Sequence, residues 1–132
     1  MKERYTSRTP TACQSAINLN VDDDFKLVYQ FTDSRFSPPI LIPLDSFDLQ
    51  IDYYIKGKPE HYVAVMKRGV CVNCVAIPET STLKVIFDNH NLKTGNLYAK
   101  FTFSFPDPDF PDRYGDVVKI EYTNIVLTDN IY

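Results

Sequence analysis

Apolar residues recur at every second position along most of the chain. Ile17, Leu19 and Val21 alternate with Asn18 and Asn20, and Phe25, Leu27, Tyr29 and Phe31 alternate with Lys26, Val28 and Gln30. A period of two places one set of side chains on a single face of a strand, so each run predicts a β-strand with one buried face. The cleanest case has Phe47, Leu49, Ile51, Tyr53 and Ile55 facing inward and Asp48, Gln50, Asp52 and Tyr54 facing outward. A second run matches it, with Leu97, Ala99, Phe101, Phe103 and Phe105 inward and Tyr98, Lys100, Thr102 and Ser104 outward. Residues 61–66, 70–77 and 83–87 predict further strands. Val118, Ile120 and Tyr122 begin a last one, in which the apolar phase slips at Thr123-Asn124 so that Ile125 and Leu127 take over. A β-bulge near Asn124 is the expected cause.

Turn chemistry separates these runs. Residues 33–39 hold Ser34, Ser37, Pro38 and Pro39, which cannot continue a central strand. Gly57-Lys58-Pro59 and Lys67-Arg68-Gly69 read as turns, and 88–95 reads as a polar connection that ends in Gly95. Residues 106–116 hold three prolines, four aspartates and one glycine, which predicts a long exposed loop. No helical stripe is present; residues 42–49 have room for a single turn capped by Asp45 or Ser46. Polar residues alternate on nearly every strand, which favours two sheets with one wet and one dry face each over a closed barrel. The expected organisation is an extended N-terminal arm over 1–14 and one all-β, antiparallel sandwich of about seven to nine strands over 15–132.

Composition sharpens this in three ways. Nine Tyr and nine Phe, no Trp, and nine Pro against four Gly suit strands and turns. A net charge of -3 argues against a surface built to neutralise phosphates, so nucleic acid is not an expected partner. The arm differs in sign: Lys2, Arg4 and Arg8 against Glu3 give it +2. That suits either a docking tail for an acidic neighbour or an ordinary frayed terminus. The first residues lack the apolar run of a secretory signal, and no stretch approaches the roughly 20 apolar residues that span a bilayer, so no membrane partner is expected. Synthesis in a reducing cytoplasm is the expectation, with Cys13, Cys71 and Cys74 as free thiols.

Chemical motifs are sparse. Cys71-Val72-Asn73-Cys74 places two sulfurs near each other, but a tetrahedral zinc site needs two more ligands at motif spacing, and Cys13, His61 and His90 are unpaired. A redox role needs the first Cys at a helix N-terminus, whereas this segment reads as strand, so small buried residues of a hairpin are expected. Asp107, Asp109, Asp112 and Asp116, with Asp22, Asp23 and Asp24, lack the glycine and terminal glutamate of an EF-hand and read as turn residues. His90 reads as a turn residue bonded to a backbone carbonyl. No nucleophile elbow, metalloprotease motif or phosphate-cradling glycine loop occurs. No catalytic residue, metal or cofactor is expected, and the weight falls on a binding or structural module.

Three stretches carry a resemblance: Val85-Ile86-Phe87-Asp88-Asn89-His90-Asn91-Leu92-Lys93-Thr94-Gly95-Asn96-Leu97, the loop Pro108-Asp109-Phe110-Pro111-Asp112, and the entry Asn20-Val21-Asp22-Asp23-Asp24-Phe25. Together, over about residues 15–128, they resemble an Ig-like β-sandwich module in structural proteins of Bacteroidetes-infecting tailed phages, crAss-like phages included. There the module looks like the virion-attachment domain of head or tail fibre proteins, and its layout is similar to the N-terminal domain of phage baseplate upper proteins. The resemblance implies an Ig-like sandwich in which Gly95 serves a turn, Leu92 and Leu97 pack a corner, and Asp109 and Asp112 shape a loop. In many such proteins the module precedes a long fibre region, whereas this sequence ends at Tyr132, so a stand-alone subunit is the expectation.

The function implied is that of a non-enzymatic virion component, made in the host cytoplasm. It would be a capsid-attached head-fibre subunit or fibre-attachment protein, partnered by the major capsid or other virion proteins and by its own copies in a dimer or trimer. A tail, collar or baseplate adaptor is the alternative within that setting, and a carbohydrate-binding surface module the alternative outside it. Lys2, Arg4 and Arg8 of the arm, outward-facing Tyr54 and Tyr98, and loop residues Phe110 and Tyr114 are the candidate contacts, since tyrosine and arginine are enriched at interfaces.

Overall fold

The computed structural model describes residues 3–7, 17–106, 109 and 114–129. In chain order the strands are β1 (Glu3–Ser7), β2 (Ile17–Asn20), β3 (Phe25–Asp33), β4 (Ile40–Leu41), β5 (Asp48–Ile55), β6 (His61–Lys67), β7 (Val70–Val72), β8 (Cys74–Ile77), β9 (Thr82–Phe87), β10 (Gly95–Pro106) and β11 (Tyr114–Thr128). Two short 3₁₀ turns, Leu44–Ser46 and Pro78–Thr80, complete the described elements. The first falls where a single turn was expected, but no side chain caps it; the Ser46 hydroxyl donates instead to the Pro43 carbonyl at 2.6 Å.

The strands form two sheets. One runs β1-β3-β9-β8, with β4 paired to the far end of β3, and the other runs β2-β11-β10-β5-β6-β7. Read along the chain, β1-β3-β9-β8 occupy the A-B-E-D positions of an immunoglobulin sandwich, and β11-β10-β5-β6-β7 the G-F-C-C′-C″ positions of its variable type. The expected all-β, Ig-like sandwich is therefore the observed fold. Eleven strands are present among the described residues, more than expected. The additions are β1, β4 and the division of 70–77 into β7 and β8. One pairing departs from the antiparallel expectation, because β2 lies parallel to β11 with Ile17 beside Ile125. Glu3–Ser7, expected as part of an arm ahead of the body, pairs antiparallel with β3 in register with Asp33 to Tyr29.

Alternation builds the core. Leu27, Tyr29 and Phe31 from β3 and Leu83, Val85 and Phe87 from β9 meet Leu49, Ile51, Tyr53, Ile55, Leu97, Ala99, Phe101 and Phe103 from β5 and β10, all buried. Phe25 and Phe105, expected in the core, are only half-buried at its rim. Three aromatic clusters link the sheets. Tyr29 meets Phe101 edge-on at 5.4 Å, Phe31 meets Phe47 at 5.4 Å and Phe103 at 6.1 Å, and Phe87 meets Tyr53 at 4.7 Å while stacking on Phe25 at 4.2 Å. Such pairs add about 0.5–1.5 kcal/mol each beyond the area they bury. The Tyr29 and Tyr53 hydroxyls, 2.9 Å apart, join β3 to β5 through the core, so the two sheets are pinned by a polar contact as well as by packing. Burial raises the Tyr29 phenol well above its ordinary value, against the lowering effect of that bond, and keeps it protonated.

Two sequence expectations about strands are corrected. Residues 70–77 do not form one strand: Asn73, with φ at +59°, turns the chain between β7 in one sheet and β8 in the other. Asn is among the residues that tolerate this left-handed conformation. The loop expected over 106–116 is shorter, because Tyr114, Gly115 and Asp116 already pair with Pro106, Phe105 and Ser104.

Candidate functional site

The outer face of the six-stranded sheet carries an ordered arrangement of half-buried and exposed side chains. Strand register alone creates it. Tyr98 on β10 lies opposite Tyr54 on β5 and Tyr122 on β11, and Tyr54 lies opposite His61 on β6. Four aromatic residues on four neighbouring strands therefore form one row. The ring centroids are 5.7 Å apart for His61 and Tyr54, 5.9 Å for Tyr54 and Tyr98, and 5.3 Å for Tyr98 and Tyr122, the first two pairs nearly parallel. Cross-strand aromatic pairs stabilise the ladder beneath them by about 0.2–1 kcal/mol each, which gives the row a structural role of its own. The His61 Nδ1 lies 2.7 Å from Asp52 Oδ1 on β5, which orients the ring against Tyr54.

Below the row, register sets two further ranks. Ile120, Lys100, Asp52 and Val63 form one, and Val118, Thr102, Gln50, Val65 and Val72 the next. The centre of the face is thus polar and its two flanks apolar. Ile120 is 60% exposed, Val118 54% and Val72 49%. Single exposed apolar residues are ordinary, but aligned ones beside an aromatic row form a surface suited to a protein partner.

The apolar phase of Val118, Ile120 and Tyr122 was expected to slip at Thr123-Asn124 through a bulge, with Ile125 and Leu127 in the alternate register. The bulge is present: Asn124 has φ at +65°, and the register shifts between Tyr98-Tyr122 and Asn96-Val126. The stretch from Thr123 to Ile125 thereby faces Leu97 alone. An insertion of two residues preserves parity, so odd positions keep to the inner side before and after it, although near the start of β11 that side is open and Val117 is 48% exposed. Thr123, Ile125 and Leu127 are buried, while Val118 and Ile120 are exposed on the outer face. The Thr123 hydroxyl secures the bulge by donating to Leu97 O at 2.8 Å and accepting from Ile125 N–H at 3.2 Å.

Of the residues singled out from sequence, the structure brings Tyr54 and Tyr98 into direct contact, both half-buried. Tyr114 opens β11 opposite Pro106 rather than standing in a loop, a correction that follows from the longer β10-β11 ribbon. Arg4 lies in β1 opposite Thr32. Lys2, Arg8, Phe110 and Cys13 fall outside the described residues. Tyr122 and His61 were missed as members of the face, since alternation shows which residues share a side of one strand and not which neighbours register places beside them.

Several other polar groups have local partners. Leu92 N–H donates to His90 Nδ1 at 3.3 Å, and His90 Nε2 donates to the Asp23 carbonyl at 3.3 Å, the turn role expected of it. Asn20 Oδ1 accepts from Asp22 N–H at 3.1 Å, and Asp116 accepts from the Ser104 hydroxyl at 2.8 Å. Among the described residues no three His, Cys, Asp or Glu side chains gather as metal ligands. None of the described helical segments is long and apolar enough to cross a membrane.

The chain matches no model of a known protein family, and no curated protein matches it in sequence.

Proposed function

We propose that this protein is a non-enzymatic virion structural component of a tailed phage, a capsid-attached head-fibre subunit or fibre-attachment protein, that docks through the outer face of its six-stranded sheet. The observation that carries the docking role is the row His61-Tyr54-Tyr98-Tyr122 with apolar flanks at Val118, Ile120 and Val72. The virion setting rests on the resemblance of residues 15–128 to fibre-attachment modules, with which the Ig-like strand order agrees.

A rigid sandwich suits this role, because an attachment protein must hold a large complementary surface in a fixed shape. The partners are the major capsid protein or another virion protein, and further copies of the chain in a dimer or trimer. Ring geometry favours a protein over a sugar. Tyr54 is stacked between His61 and Tyr98, so its faces are turned to neighbouring rings and are not offered to a pyranose. Antibodies raised against the purified protein should label intact purified particles. Particles that stay unlabelled, and that contain no peptide of this chain by mass spectrometry, would contradict the virion assignment.

A further inference from the structure

Cys71 and Cys74 flank the step from β7, an edge strand of one sheet, to β8, an edge strand of the other. Cys71 lies on β7 opposite Met66, an inward position of the six-stranded sheet. Cys74 lies on β8 opposite Val85, an inward position of the five-stranded sheet. Asn73 fixes the crossing from both sides. Its side-chain amide donates to Val63 O on β6 at 2.8 Å, and its carbonyl accepts from Ile86 N–H on β9 at 2.9 Å. Pinned in this way, the two thiols both face the space between the sheets, and Cys74 Sγ donates to Val65 O at 3.3 Å. Both line a cleft of about 680 Å³, whose walls include Leu44, Met66, Val75 and Ala76. Cys71 is half-buried, whereas Cys74 is 8% exposed.

Neither thiol is bonded to the other, and no third His, Cys, Asp or Glu ligand joins them among the described residues. We propose that Cys71 and Cys74 form a dithiol that a small-molecule disulfide converts into an intramolecular bridge, tying the open edges of the two sheets together.

The order of events follows from exposure. The Cys71 thiolate attacks one sulfur of the reagent, which forms a mixed disulfide at Cys71 and releases one thiolate. Cys74 then loses its proton to solvent or to the released thiolate and attacks the Cys71 sulfur, which expels the second thiolate. The dithiol is oxidised to one disulfide, and the reagent is reduced to two thiols. Burial, reinforced by the adjacent Cys71, pushes the Cys74 thiol up to about 12, so Cys74 is a poor first nucleophile at neutral pH and acts only after Cys71 has been activated.

The test is to incubate the reduced, folded full-length protein with oxidised glutathione and to read intact mass and peptide maps. The expected product has lost two hydrogens and carries a Cys71–Cys74 bond, in the native chain and equally in Cys13→Ser. Cys74→Ala should stop at a glutathione adduct on Cys71, and Cys71→Ala should leave Cys74 unmodified until the protein is unfolded. A native chain that accumulates the Cys71 adduct without closing, or that links either residue to Cys13, overturns the proposal. Because the bridge is read on the isolated protein, its outcome is separate from that of the docking role.

Discussion

At the scale of single residues, a few positions are fixed by backbone shape or by charge and not by apolar patterning. Gly95 opens β10 with φ at +136°, and a Cβ there would lie 2.6 Å from Ile55 Cγ2 in the core. Strain and collision therefore act together, and Gly95→Ala should lower stability by about 1–3 kcal/mol. The measurement is a urea unfolding curve whose midpoint falls while its slope stays unchanged. Asp33 is the buried end of β3, and the Arg35 guanidinium bonded to both its oxygens holds its carboxyl below the ordinary carboxylate range. A depressed folded value means that this contribution is present above the unfolded value of about 3.9 and is lost as pH falls through the lower folded value. Asp33→Asn should accordingly be less stable than the native chain at neutral pH, and the difference should shrink in strong acid. A difference that stays constant across a pH series of unfolding curves would show that the ion pair is not its source.

At the scale of elements, β11 shows what alternation conveys and what it omits. The apolar run Val118-Ile120-Tyr122 and the irregularity at Asn124 were both legible in the sequence. Which face the run occupies was not, because that depends on whether the bulge inserts an odd or an even number of residues. With two inserted, the run points outward beside Tyr98. Residues 70–77 teach a similar lesson. They read as a single strand because Asn73 resembles any polar outward position, and only its bonds to Val63 and Ile86 reveal a crossing between sheets. Since Ile120 is exposed and opposite Lys100, Ile120→Asp removes apolar surface without opening the core. Its unfolding midpoint should match that of the native chain, as for most substitutions at exposed positions.

At the scale of the whole molecule, the period-two pattern was sufficient to predict an all-β sandwich, because β3, β5, β9 and β10 each alternate inward apolar and outward residues along their length. The immunoglobulin order emerged only from long-range pairing, in which β1 meets β3 and β2 meets β11, neither marked by any local motif. The candidate face was half legible. Tyr54 and Tyr98 stood out as polar-side aromatics in otherwise clean strands, whereas His61 and Tyr122 joined them through register. The sandwich therefore separates two aromatic populations. Phenylalanines with Tyr29 and Tyr53 hold the sheets together, and a stacked row lies on the outside, at the face proposed for docking.

The most direct test of that division is the amount of this protein recovered in purified phage particles, measured by quantitative mass spectrometry, when the native chain is replaced by Ile120→Asp combined with Tyr98→Ser. The account predicts a folded variant whose copy number per particle falls at least several-fold. A folded variant present in particles at the native copy number would contradict docking through this face.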